Sequence, residues 1–121
     1  MKQQRTDLPA LMDNASASLR STPMGDMACT YAEIKAGTDL APVLKGLPDD
    51  VCPCPHWGYL LKGVIRIRYT DGREETLRPG ELFYLPPGHL PVFEEDSAFV
   101  EFSPRREYDD LLAHVGRQAQ A

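Results

Sequence analysis

Between residues 27 and 104 the chain is cut by turn-forming residues at short intervals, and each interval has room for one strand. Met27 to Ala36 is followed by Gly37-Thr38-Asp39, and Leu40 to Leu44 by the loop Gly46-Leu47-Pro48-Asp49-Asp50. Trp57 to Lys62 meets Gly63, and Val64 to Tyr69 runs into Thr70-Asp71-Gly72-Arg73, where Asp-Gly signals a two-residue hairpin. Glu74 to Leu77 gives way to Arg78-Pro79-Gly80, and Leu82 to Leu85 to Pro86-Pro87-Gly88. Val92-Phe93 and Ala98 to Phe102 flank an acidic turn. So many short strands with regularly spaced turns predict an all-β sandwich or barrel.

The two ends read differently. Residues 1–26 form an N-terminal arm, in which Thr6 or Asp7 caps a short helical turn carrying Leu8, Leu11 and Met12, and Asn14 to Thr22 is a small, polar linker or irregular arm, either draped over the body or pairing with a second subunit. Residues 27–121 hold the barrel and a C-terminal helix. In that helix Ser103 stands at the N-cap and Pro104 at the first helical position, and Tyr108, Leu111, Leu112 and Val115 recur at helical spacing before Gly116. His114 falls beside Asp110 on the polar side.

Composition excludes several classes. A chain of 121 residues with a net charge of -5 and scattered acids has no basic stripe for nucleic acid. No run approaches the roughly 20 apolar residues of a membrane helix, and the polar start Met1-Lys-Gln-Gln-Arg-Thr-Asp lacks a signal-peptide core. The expectation is a soluble, cytoplasmic protein. Three cysteines in such a chain argue against disulfides. Cys29 reads as a buried core residue, and a bridge between Cys52 and Cys54 would close a strained ring.

The segment Cys52-Pro53-Cys54-Pro55-His56 carries the candidate chemistry. Its alternating prolines favour extended backbone, which sends Cys52, Cys54 and His56 to one face. Proline cannot donate to a ladder, so the segment belongs at an edge or rim. His89 follows Pro86-Pro87-Gly88 with the parity of Phe83 and Leu85, and so can face the same interior. Two thiols and two imidazoles suit a divalent transition metal, zinc above magnesium or calcium. The simpler alternative is a buried small cysteine and a turn histidine with no metal.

These blocks resemble the two motifs of the cupin superfamily. The first motif runs Gly, five residues, His-x-His, three or four residues, Glu, six residues, Gly. Here Gly46, five residues, Cys52-x-Cys54, His56 and Gly63 follow it, with the cysteines in the places of the paired histidines and His56 in that of the glutamate, after one residue. The second runs Gly, five residues, Pro-x-Gly, two residues, His. Gly80, Pro86 and Gly88 match, while Pro91 holds the histidine place and His89 lies two residues earlier, roughly 7 Å along a strand on the same face. The resemblance covers residues 27 to 104 and implies a cupin-type double-stranded β-helix, or jelly roll, often with a metal in its mouth.

Two functions are compatible with these residues, and they leave open whether the chain is an enzyme. One is a small cupin that binds a transition metal through Cys52, Cys54, His56 and His89 and acts on or binds a small organic molecule. The other is a non-catalytic module with no metal or only a structural one. No general acid or base stands beside the ligands in sequence, Glu81 being several residues from the rim. Trp57, Tyr59 and Leu61 share a strand face and read as core or subunit interface. Arg66 and Arg68 face Glu74 and Glu75 across the hairpin as solvated ion pairs. Small cupins pair, and exchange of the arm across a two-fold predicts a homodimer.

Overall fold

Strand β9 (Ser97–Pro104) is the seam on which the fold is built. Ser97, Phe99, Glu101 and Ser103 are buried while Phe102 is exposed, the alternation of a strand with one inward face. A computed structural model of the chain describes residues 1–119. In it β9 pairs antiparallel with β3 (Met27–Ile34) on one side and β4 (His56–Lys62) on the other. β1 (Ala10–Asp13) and β2 (Ala17–Met24) extend the sheet beyond β3, and β7 (Leu82–Leu85) extends it beyond β4, giving the order β1-β2-β3-β9-β4-β7. A second sheet, β6 (Glu74–Leu77), β5 (Ile65–Tyr69) and β8 (His89–Phe93), packs against it. The mostly antiparallel, all-β architecture is that of a jelly-roll barrel with a C-terminal helix.

Apolar residues from both sheets fill the space between them. Ala32, Leu60 and Ile67 are fully buried, with Ile65, Leu77, Leu85, Phe93 and Phe99 around them. Each large side chain so placed contributes about 1.5–3 kcal/mol of transfer free energy. Gly58 sits on this inner face between Phe83 and Glu101 in the register. A Cβ there would come within 2.4 Å of the Phe83 ring and of the Val100 carbonyl oxygen, so the bare backbone is what lets β7 and β9 close on β4.

Three sequence expectations change. No helical turn forms on Leu8, Leu11 and Met12: a single 3-10 turn at Arg5–Asp7 is followed by strand β1. Asn14 to Thr22 is no linker, since β2 pairs with β3 of its own chain from Ala17↔Ile34 to Met24↔Met27. Ser21 of β2 is buried with its hydroxyl bonded to β3: Ser21 Oγ donates to the Cys29 carbonyl (3.0 Å) and Thr30 Oγ1 to Ser21 Oγ (3.1 Å). Leu40 to Leu44 is not a strand but one helical turn, α1 (Ala41–Leu44), started by Asp39, whose Oδ1 accepts from the Ala41 N–H at 2.9 Å.

The terminal helix α2 (Arg105–Ala119) begins one residue later than expected, with Pro104 ending β9, and continues through Gly116. Tyr108 and Leu111 are buried, and Leu112 and Val115 pack on the same cluster with Leu44 of α1. His114 Nε2 and the Lys45 carbonyl oxygen, 2.8 Å apart, tie α2 to the end of α1. The β5-β6 hairpin forms as expected but with a three-residue loop: Tyr69 N–H donates to Arg73 O (2.9 Å), Gly72 N–H to Tyr69 O (3.0 Å), and Gly72 takes φ +90°. Arg66 and Arg68 lie 3.6 and 3.7 Å from Glu74, the expected surface ion pairs. Among the described residues no helix is long and apolar enough to cross a membrane.

Candidate metal centre

Backbone pairing brings two distant segments together. Cys52 and His89 form an isolated antiparallel bridge in which Cys52 N–H donates to His89 O (3.0 Å) and His89 N–H to Cys52 O (3.3 Å). Residues paired this way project to the same side. Gly88, at φ +93°, turns the chain into the bridge. The alternation expected for residues 52–56 is present: Cys52, Cys54 and His56 are buried while Val51, Pro53 and Pro55 are half-buried. His56 then opens β4 opposite Leu85.

Three of the four sequence candidates converge. One donor atom each from Cys52, His56 and His89 lies within 4.8 Å of the others, and all three residues are buried. Cys54 shares their face but stands outside the group, its Sγ 3.6 Å from the Pro55 carbonyl oxygen. The imidazoles are held by their outer nitrogens. His89 Nδ1 is 2.7 Å from the Pro86 carbonyl oxygen, which can only accept, so Nδ1 carries the hydrogen and the Nε2 lone pair faces inward. His56 Nδ1 is 2.6 Å from Ser103 Oγ, and its Nε2 is 3.6 Å from Cys52 Sγ.

The spacing of one donor pair matches that of two ligands on a tetrahedral ion. Bond lengths of about 2.3 Å to sulfur and about 2.05 Å to nitrogen at a tetrahedral angle separate the two ligand atoms by about 3.5–3.6 Å. The Cys52 to His56 separation of 3.6 Å agrees. Both imidazoles are oriented by hydrogen bonds at the far nitrogen, as metal-bound histidines usually are.

Glu101 is a buried acid beside this group that adjacency in sequence concealed. Its Oε1 lies 3.9 Å from His56 Nδ1, it lines an interior cavity together with Cys52, His56 and His89, and it is only 8% exposed. The available signal was parity: Glu101 shares the inward face of β9 with Phe99 and Ser103, an acid where a barrel strand calls for an apolar residue. Burial raises the Glu101 carboxyl from 4.5 to about 8 and lowers His56 from 6.5 to about 4. His89 is likewise lowered to about 4, first by burial and then by His56. Burial also pushes the Cys52 and Cys54 thiols up to about 12. The His56–Glu101 contact is therefore a neutral pair near pH 7 rather than an ion pair.

These shifts fix how metal-free stability depends on pH. The two histidine contributions are present above pH 6.5 and are lost as pH falls toward 4, because the unfolded chain binds protons that the folded one refuses. The Glu101 contribution is present below pH 4.5 and is lost as pH rises toward 8. With two histidines against one glutamate, stability should rise to about pH 6.5 and then decline toward pH 8. Urea titrations across that range measure it. Glu101→Gln should remove the decline, and a wild-type protein that keeps gaining stability to pH 8 would contradict a neutral buried Glu101.

Comparison with known proteins places the fold. No protein-family model matches the sequence, and no curated protein is significantly similar to it. Solved structures do match. An RmlC-like cupin from Shewanella frigidimarina superposes with a TM-score of 0.62 at 15% identity, over 88% of this chain and 93% of that one. Ectoine synthase from P. lautus gives 0.58 at 16% identity, over 82% and 74%. A mutant Bacillus subtilis oxalate decarboxylase gives 0.58 at 17% identity, over 83% of this chain and 28% of that longer one. At these identities the likeness concerns the fold.

Proposed function

We propose that this chain, a cupin by fold, holds one divalent transition metal through Cys52, His56 and His89 in its barrel and acts there on a small organic molecule. The observation that carries the reading is the convergence of one thiol and two imidazoles, with the Nε2 lone pair of His89 left facing the other donors by the bond of its Nδ1 to the Pro86 carbonyl oxygen. A sulfur and two nitrogens favour zinc. Three protein donors, unlike four, leave a coordination position for water or substrate. A metal there supplies Lewis acidity, polarising a carbonyl or acidifying a water. Glu101, beside His56 and facing the cavity, is the group that would give or take a proton. Ser103 and the Pro86 carbonyl oxygen orient the imidazoles.

Elemental analysis of reduced, untagged protein dialysed against zinc tests this. About one equivalent of zinc per chain is expected, and none bound by folded protein would make a metal-free ligand-binding module the better account. Glu101→Gln then separates chemistry from binding: it should keep the metal and reduce any turnover by about 10²–10⁴-fold. Unchanged turnover would remove Glu101 from the reaction.

Pairing of two copies belongs to the same proposal. With the arm paired to its own chain, the surface left for a partner is the outer face of β4, β7 and β9. Trp57, Tyr59, Leu61, Leu82, Tyr84 and Phe102 are 38–83% exposed there, and Trp57 stacks on Tyr84 with ring centroids 5.0 Å apart. None of the six is charged, so two copies of an acidic chain can meet on this face without like-charge repulsion. Light scattering should report twice the 13.5 kDa chain mass, falling to one chain in Tyr84→Glu. A wild-type species of one chain at 0.1 mM, an order-of-magnitude working concentration for a weak dimer, would overturn the pairing.

A further inference from the structure

The interior of the barrel also restricts what can be bound. Beside the Cys52-His56-His89 wall lies a cavity of about 140 Å³. Ile65, Ile67, Leu77, Leu85, Phe93 and Phe99 form its floor. Val43 and Leu44 of α1 and Leu111 and Val115 of α2 line its other side. A cavity of about 150 Å³ with this kind of lining takes a molecule the size of benzene, so the volume sets the ligand at about one six-membered ring.

Charge restricts it further. Among the described lining residues there is no lysine or arginine, and Glu101 is the single carboxylic acid. A carboxylate or phosphate entering from water would lose hydration worth several kcal/mol with no cationic side chain to meet it. A bound divalent ion would supply only part of that need, because the Cys52 thiolate would answer one of its two charges. Cys52, His56, His89, Glu101 and Tyr108 carry the polar side-chain groups of the lining, and the other lining side chains offer dispersion contacts.

We propose that the cavity selects a compact, uncharged ligand of about one ring's size, with a single oxygen function turned toward Cys52, His56, His89 and Glu101 and an apolar body on the Ile67-Phe93-Phe99 floor. This rests on the small-molecule reading of the barrel given above and narrows it to neutral alcohols, ketones and aldehydes of that size. Small dicarboxylates and phosphorylated metabolites should bind more weakly, because no cationic side chain lines the cavity.

The test uses matched probes on the intact protein, with and without zinc. Cyclohexanone and benzyl alcohol are compared with cyclohexanecarboxylate and benzoate by ligand-observed NMR and thermal shift. The neutral probes should bind at least about tenfold more tightly than their charged counterparts, roughly 1.4 kcal/mol. Leu19→Phe or Met12→Phe, which fill the cavity from β2 and β1 away from the metal ligands, should weaken neutral-probe binding about tenfold with zinc content unchanged. Two variants guard against one failing to fold. Carboxylates binding as well as the neutral probes, or no neutral-probe binding at millimolar concentration, would overturn the ligand class even if zinc binds. Neutral-probe binding by a protein that takes up no zinc would uphold the ligand class and sink the metal reading instead.

Discussion

Cys52→Ser is expected to lower zinc affinity by at least about 100-fold, whereas Cys54→Ser should change it less than tenfold. Even loss of a residue that only orients a ligand costs about 10–100-fold, and serine at position 52 removes the one anionic donor of the set. A hydroxyl does not ionise in its place near neutral pH, so the ion keeps two neutral imidazoles alone. Cys54 is equally buried, yet its sulfur lies against the Pro55 carbonyl oxygen and outside the donor group. Competition with a chromophoric chelator under reducing conditions measures both variants. Equal losses would mean that Cys54 ligates with Cys52, and equal retention would mean that neither does.

Phe93→Ala should be the most damaging of the single core truncations, at about 3–5 kcal/mol. Phe93 is 3% exposed, pairs with Ile65 in the smaller sheet and projects into the cluster that joins it to the larger one. Its removal enlarges a cavity that already exists, so neighbouring side chains have little reason to collapse into the space. Against a typical domain stability of about 5–15 kcal/mol, the loss should move the melting temperature down by about 10–25 °C. A shift of only a few degrees would show that the two sheets are held together elsewhere, for instance by α2 on the end of the barrel.

The fold was more legible than the site. Turn residues at short intervals and strand-like runs between them pointed to a sandwich or barrel from Met27 onward, because glycine, proline and Asp-Gly signals act locally, and the resemblance to cupin motifs narrowed that to the jelly roll. β2 escaped because its inward residues Ala17 and Ser21 are too small to show an apolar period, and their hydroxyl partners come from β3. The Leu40 to Leu44 run was ambiguous, since five apolar-rich residues fit a strand or one turn of helix, and in the folded chain Asp39 Oδ1 accepts from Ala41 N–H at the start of that turn.

At the centre, parity correctly sent residues 52, 54 and 56 inward, but it could not say where each sulfur would point. That depends on the bridge between Cys52 and His89, a contact between segments far apart in the chain. Glu101 carried only a parity signal and Ser103 read as a helix cap for the same reason: β9 becomes the neighbour of β4 only in the folded sheet. The exposed Trp57, Tyr59 and Leu61 face was visible as a stripe, and only its exposure separates an interface from a core.

X-ray absorption at the zinc edge, on zinc-loaded protein kept reduced, tests the central claim most directly. One sulfur at about 2.3 Å and two imidazole nitrogens at about 2.0–2.1 Å, completed by a light atom, is the expected shell. Two sulfurs would bring Cys54 into the site and close it. A shell of oxygens and nitrogens with no sulfur would contradict the account, because zinc would then be held somewhere other than Cys52, His56 and His89.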